Sequence, residues 1–276
     1  MAIQDKAMLV HLNISTWTAR KFDPKVTKEI EDNYSANDSG RYNKILIAGE
    51  HLAKIQKIAS ATRVYHYEHT LAWNDNGGRL LSADIYFDYV SAMDKFQNEL
   101  TTQVSRFINM YPTYIEEAKS RLKGMFSEED YPSLEDLRQK YKFTVSFNPV
   151  PDAQDLRIQL NQHEKESIRQ SIMEQVDNST KTAMTDIWNR LHGVVKHMIE
   201  RLSDADNKFK NSLVDNIKEL CEILPKLNVA GDEKLTAAIK EINDKLATLE
   251  PDNLRKDKQL RSQAVTDAKE ILSRAG

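Results

Sequence analysis

The chain has 276 residues, 40% hydrophobic and 29% charged, with 39 Lys and Arg against 42 Asp and Glu for a formal net charge of −3. With a mean hydropathy of −0.62, that balance predicts a soluble chain able to build a core and excludes a disordered polyelectrolyte. No apolar run reaches the roughly 18 residues a membrane span requires, no secretory signal opens the chain, and a pI near 6.2 argues against binding nucleic acid by overall charge.

Met8, Val10, Leu12 and Ile14 alternate with Leu9, His11 and Asn13 and predict a strand over residues 8–15. Asp23-Pro24 supplies a capping carboxylate and a first-turn proline for a short helix to Tyr34, and residues 35–40 read as a loop. Leu52, Ile55, Ile58 and Ala59 give helical spacing between Gly49 and His69, and residues 74–78 form a turn. Ser82 caps a long helix, which Tyr111-Pro112 is expected to break or kink. Ser133 with Asp136 starts another helix in capping-box fashion.

Residues 143–147 alternate cleanly, a Pro-rich loop follows, and Leu156, Ile158 and Leu160 alternate again, so a β-hairpin is expected to join the first strand in a three-stranded sheet. Beyond Asn161 the pattern is helical. Met184, Trp188, Leu191, Val195, Met198 and Leu202 step by four and three, as do Leu235, Ile239, Ile242, Leu246 and Leu249. The fold expected is therefore α+β and predominantly α: long helices, a small antiparallel sheet and a C-terminal helical hairpin or arm. Residues 1–160 form the α+β domain and 161–276 a helical bundle or coiled-coil arm.

Catalytic chemistry finds little support. His66 and His69 are three apart with no third ligand supplied by a motif, and His192 and His197 are five apart, off a common face. There is no Gly-x-Ser-x-Gly elbow and no phosphate-binding loop after Gly77-Gly78. The single cysteine, Cys221, lies between Leu220 and Ile223 and reads as a buried thiol in a reducing cytoplasm. Acid pairs such as Glu116-Glu117 read as solvated surface. A non-enzyme without cofactor or metal is expected.

The densest aromatic and basic block lies between residues 15 and 79, which hold two of the three tryptophans. Trp17, Arg20, Lys21, Arg41, Tyr42, Lys44, Arg63, Tyr65, Trp73 and Arg79 are the candidate binding residues. Such side chains anchor protein interfaces, and the same types stack on unpaired bases while neutralising phosphates. A third use is structural: Trp17, Tyr65 and Trp73 filling the joint between sheet and long helix. Residues 41–80 carry six bases against three acids, whereas residues 82–141 carry eleven acids against seven bases. The acidic pI ranks nucleic acid behind a protein partner.

The runs TWTARKFDPKVTKEIE, SGRYNKILIAGEHLAKIQKIASATRVYHYEHTLAWNDNGGRLL, EEDYPSLEDLRQKYKFTVSFNPVPDAQDLRIQL and DIWNRLHGVVKHMIERL resemble an uncharacterised family of proteins of tailed bacteriophages and prophages. The resemblance covers about residues 8–205, with its most specific pieces at residues 17–21, 41–44 and 65–79. It carries no activity and no catalytic residue. Some similar proteins are encoded near a MoxR-type AAA ATPase and a von Willebrand-type protein, which implies an adaptor or scaffold role in the host cytoplasm.

The expectation is an oligomeric, non-enzymatic phage protein that binds through residues 15–79, with itself and a phage or host protein such as an AAA ATPase as partners, and no membrane. The oligomer is suggested by apolar helical stripes in excess of the partners one chain would supply. Two alternatives are a single-stranded nucleic-acid-binding recombination accessory that forms rings, and an anti-defence protein that sequesters a host enzyme.

Overall fold

The alternating residues at the start of the chain become β1 (Ala7–Ser15) in a computed structural model that describes residues 2–74, 77–155, 161–204 and 207–274. Ala7, Leu9 and Val10 are all buried, so both faces of the strand are covered over that stretch and the period-two pattern blurs there. Next come β2 (Arg20–Phe22), α1 (Pro24–Tyr34), β3 (Asn43–Ile45) and α2 (Gly49–Glu68). The chain continues with β4 (Leu71–Ala72), β5 (Arg79–Ser82), α3 (Tyr86–Leu122), α4 (Leu134–Gln139) and β6 (Lys142–Pro149). Then come the helices α5 (Gln162–Leu202), α6 (Ser212–Leu227), α7 (Glu233–Ile242), α8 (Pro251–Lys256) and α9 (Lys258–Arg274), with a π-turn at Asn243–Ala247. Predominantly helical α+β architecture is what the structure shows.

The small sheet has four strands in the order β4-β5-β1-β6, with β1 antiparallel to β5 and β5 antiparallel to β4. The expected third strand at residues 156–160 lies outside the described residues. Strands β4 and β5, at two and four residues, are too short to leave a periodic signal. A Cβ at Gly78 would meet the His11 ring at 2.9 Å, so a larger residue there would have to displace that ring. The expected break at Tyr111-Pro112 is corrected: α3 runs through it as one helix. Pro112 faces solvent and removes only its own N–H, while Ile108 and Tyr111 anchor the same stretch in the core.

The chain forms two compact units, and the boundary expected at residue 160 is not where it divides. One unit comprises Met1–His11, Tyr67–Tyr89 and Ser146–Gly276; the other comprises Leu12–His66 and Val90–Val145. The divisions cut β1, α2, α3 and β6 internally, so no linker composition marks them.

In the first unit, α5 buries Val176, Ala183, Ile187, Leu191, Val195 and Met198 along one face. That face meets α9 and α6, and α6 in turn packs on α7. Both stepped apolar stripes thus find their partners within the chain. Asp232 caps α7 through the amides of Lys234 and Leu235 and also accepts the Trp188 indole N–H at 3.1 Å. Arg190 and Arg79 converge on Asp186, which further accepts the Ala72 amide at 3.0 Å. Burial opposes charge on Asp186, yet the Arg190 hydrogen bond, the Ala72 amide and the two guanidiniums hold it below the ordinary carboxylate range.

The core of the second unit gathers Ile14, Leu46, Ile47, Leu52, Ile55, Leu100, Phe107, Ile108, Tyr111 and Leu137. Ser133 caps α4 as expected, its Oγ accepting the Asp136 amide, while its hydroxyl donates to Asp136 Oδ2.

Candidate functional site

Within the second unit, β2 and β3 form a two-stranded antiparallel ribbon that pairs Arg20 with Ile45, Lys21 with Lys44 and Phe22 with Asn43. Strand alternation assigns Lys21 and Lys44 to one face and Arg20, Phe22, Asn43 and Ile45 to the other. The first face is pinned. Lys44 is buried, with Nζ at 2.6 Å from Asp130, 3.3 Å from Asp23 and 2.8 Å from the Met125 carbonyl. Lys21 reaches the second oxygen of Asp130 at 2.9 Å.

Burial works against charge on Lys44, but the bonds to Asp130 and Asp23 raise its proton affinity above the ordinary lysine value. Asp130 is likewise disfavoured by burial and then held low by Lys44 and Lys21. Asp23 is lowered chiefly by accepting the Val26 amide.

The opposite face is open. Phe22 is 44% exposed and Ile45 45%, and the Arg41 guanidinium lies 5.8 Å from the Phe22 ring. Between the strands, Asp23 caps α1 through the Lys25 and Val26 amides, and the helix ends at Ser35 in a left-handed conformation. Val26, Ile30 and Tyr34 fall at successive steps of four, the spacing of one helix face. None of the helix's residues is buried: Ile30 is 41% exposed and Tyr34 80%. The segment from Arg20 to Ile45 thus presents four large apolar side chains to solvent.

The ten expected binding residues are divided between the two units. Eight lie in the second unit, while Trp73 and Arg79 lie in the first. Trp73, 3% exposed, and the buried Lys44 are corrected from surface to interior, the first by apolar burial and the second by its two carboxylates. Trp17 is half-buried, edge-on to Phe107 and Tyr111 with centroids 6.3 and 5.8 Å away, and Tyr65 packs edge-on to Phe96 at 5.8 Å. Arg79 donates to the Thr70 hydroxyl and carbonyl and lies over the Tyr67 ring at 4.8 Å. Arg63 donates to the Ile14 carbonyl at 2.9 Å, and the half-buried Tyr42 links β3 to α1 through its amide on Thr27 Oγ1.

Arg20, Lys21 and Arg41 remain exposed. Sequence reasoning missed Phe22, Ile30, Tyr34 and Ile45, although the apolar stripe of α1 was there to be found. The carboxylates that retain Lys44 and Arg79 come from distant parts of the chain and gave no local signal.

No cluster of metal-ligating residues occurs among the described residues. His66 is buried, and burial pushes the Cys221 thiol up to about 11, which disfavours the thiolate. Among the described residues no helix is long and apolar enough to cross a membrane. In comparisons with known proteins, no family model, no curated protein and no solved structure matches the chain.

Proposed function

We propose that the chain is a non-catalytic binding module that self-associates through the Arg20–Ile45 segment and serves as a scaffold or adaptor. The observation that carries this reading is α1, an amphipathic helix whose apolar stripe has no buried residue, inserted between strands that themselves expose Phe22 and Ile45. Exposed apolar side chains grouped in this way mark interaction surfaces.

A second copy of the chain fits the charges. Arg20 and Arg41 flank the ribbon, while Glu29, Glu31 and Asp32 occupy the later part of α1. A two-fold interface requires one patch carrying both complementary halves, and this segment holds both. The burial of Trp73 and the inward packing of Trp17 and Tyr65 remove the stacking platform that a single-stranded nucleic acid would use. By the resemblance drawn from the sequence, the setting would be a phage-infected cytoplasm, with an AAA ATPase as a further partner.

Size-exclusion chromatography with light scattering on the intact chain tests the reading. A dimer or larger species at micromolar concentration is expected, and a clean monomer there would remove it.

A further inference from the structure

The first unit contains a cavity of about 340 Å³ between the last turns of α5 and the first turns of α6. His197 and Arg201 enter it from α5, Lys208 and Lys210 from the connecting segment, and Ser212 and Asn216 from α6. Among the described residues, every ionisable side chain on its wall is basic. Among the described residues, the side chains of His197, Arg201, Lys208 and Lys210 enter no ion pair and no hydrogen bond.

The wall is fixed from behind by two arginines. Arg261, 5% exposed, donates to the carbonyls of Arg201, Leu202, Asp204 and Asn207, at 2.8 Å, 2.9 Å and 3.0 Å for Arg201, Leu202 and Asn207. Arg255 donates to the Phe209 carbonyl at 3.1 Å and to Asn211 Oδ1 at 2.6 Å. Both guanidiniums lie over the Phe209 ring, at 5.0 Å for Arg255 and 5.4 Å for Arg261. The segment that carries Lys208 and Lys210 is therefore held in place before any ligand arrives, which lowers the ordering cost of binding. Arg255 also occupies the Asn211 side chain, so this residue does not cap α6. The positive end of that helix adds to the field of the four bases.

We infer that this cavity binds a phosphate-class oxyanion carried by a small ligand. Four unpaired donors around one concavity suit a compact multivalent anion, because charge-assisted hydrogen bonds converge on a single group. A nucleic-acid strand needs instead a basic track along its backbone. The inference stands apart from self-association, which involves the other unit.

Isothermal titration of the full chain tests it, with inorganic phosphate, pyrophosphate, a nucleoside triphosphate, the matching nucleoside and a short oligonucleotide as probes. Saturable one-to-one binding of at least one phosphate-bearing small ligand is expected, with none of the nucleoside. Whether free phosphate or the nucleotide binds more tightly identifies the source of the oxyanion. The Arg201→Gln/Lys210→Gln double variant should lose about tenfold or more in affinity. Its melting temperature should match that of the wild type, and Lys181→Gln, outside the cavity, should leave binding unchanged. Absence of binding by every small phosphate ligand, binding by the oligonucleotide alone, or unaltered affinity in a double variant that melts normally would each overturn the assignment.

Discussion

Helix α1 and the C-terminal helices carry the same kind of pattern and meet opposite fates. On α5, Ile187, Leu191, Val195 and Met198 are buried against neighbouring helices of the same chain. On α1, Val26, Ile30 and Tyr34 recur with equal regularity, and none is buried. Periodicity states that a helix has an apolar side; it does not state who covers it. The expectation of self-association began with the C-terminal stripes, and those stripes are satisfied internally. Self-association instead finds its support in α1, whose stripe stays uncovered.

The largest effect should come from the satisfied side of this contrast. Ile187→Ala opens a cavity in the α5 core and should cost about 2–5 kcal/mol in chemical denaturation. Next, Asp130→Asn weakens the hold on the buried Lys44 while Asp23 and the Met125 carbonyl remain, for a loss of about 1–3 kcal/mol. Acid should reproduce part of that loss. Asp130 and Asp23 titrate below their ordinary value of 3.8, so their contribution is complete above that pH and disappears as pH falls through the lowered values. Acid titration followed by circular dichroism should show this limb shrinking in Lys44→Met. The smallest effect belongs to α1: Ile30→Asp should change the stability of a dilute monomer by less than about 0.5 kcal/mol, since nothing buries the side chain.

What was legible in the sequence was local. The strand β1, the Asp23 cap of α1, the Ser133 cap of α4 and the stepped leucines depend on residues a few positions apart, and all reappear in the structure. The fate of each basic residue was not legible, because it depends on partners supplied from elsewhere in the chain. Lys44 is retained by Asp130 and Asp23, Arg79 by Asp186 and Thr70, whereas Arg20, one position from Lys21, stays outside on the opposite face of its strand. Arg261 gave no signal at all, since binding backbone carbonyls leaves no mark in composition. Pro112 does not end α3, because its ring faces water and Ile108 and Tyr111 anchor the helix around it.

Sedimentation velocity on the wild type and the Ile30→Asp/Tyr34→Asp double variant tests the central claim most directly. The account predicts that the wild type sediments as a dimer or larger at micromolar concentration, and that the double variant sediments as a monomer with its melting temperature unchanged. Equal assembly by the two proteins, or a wild type that stays monomeric across that range, would contradict it.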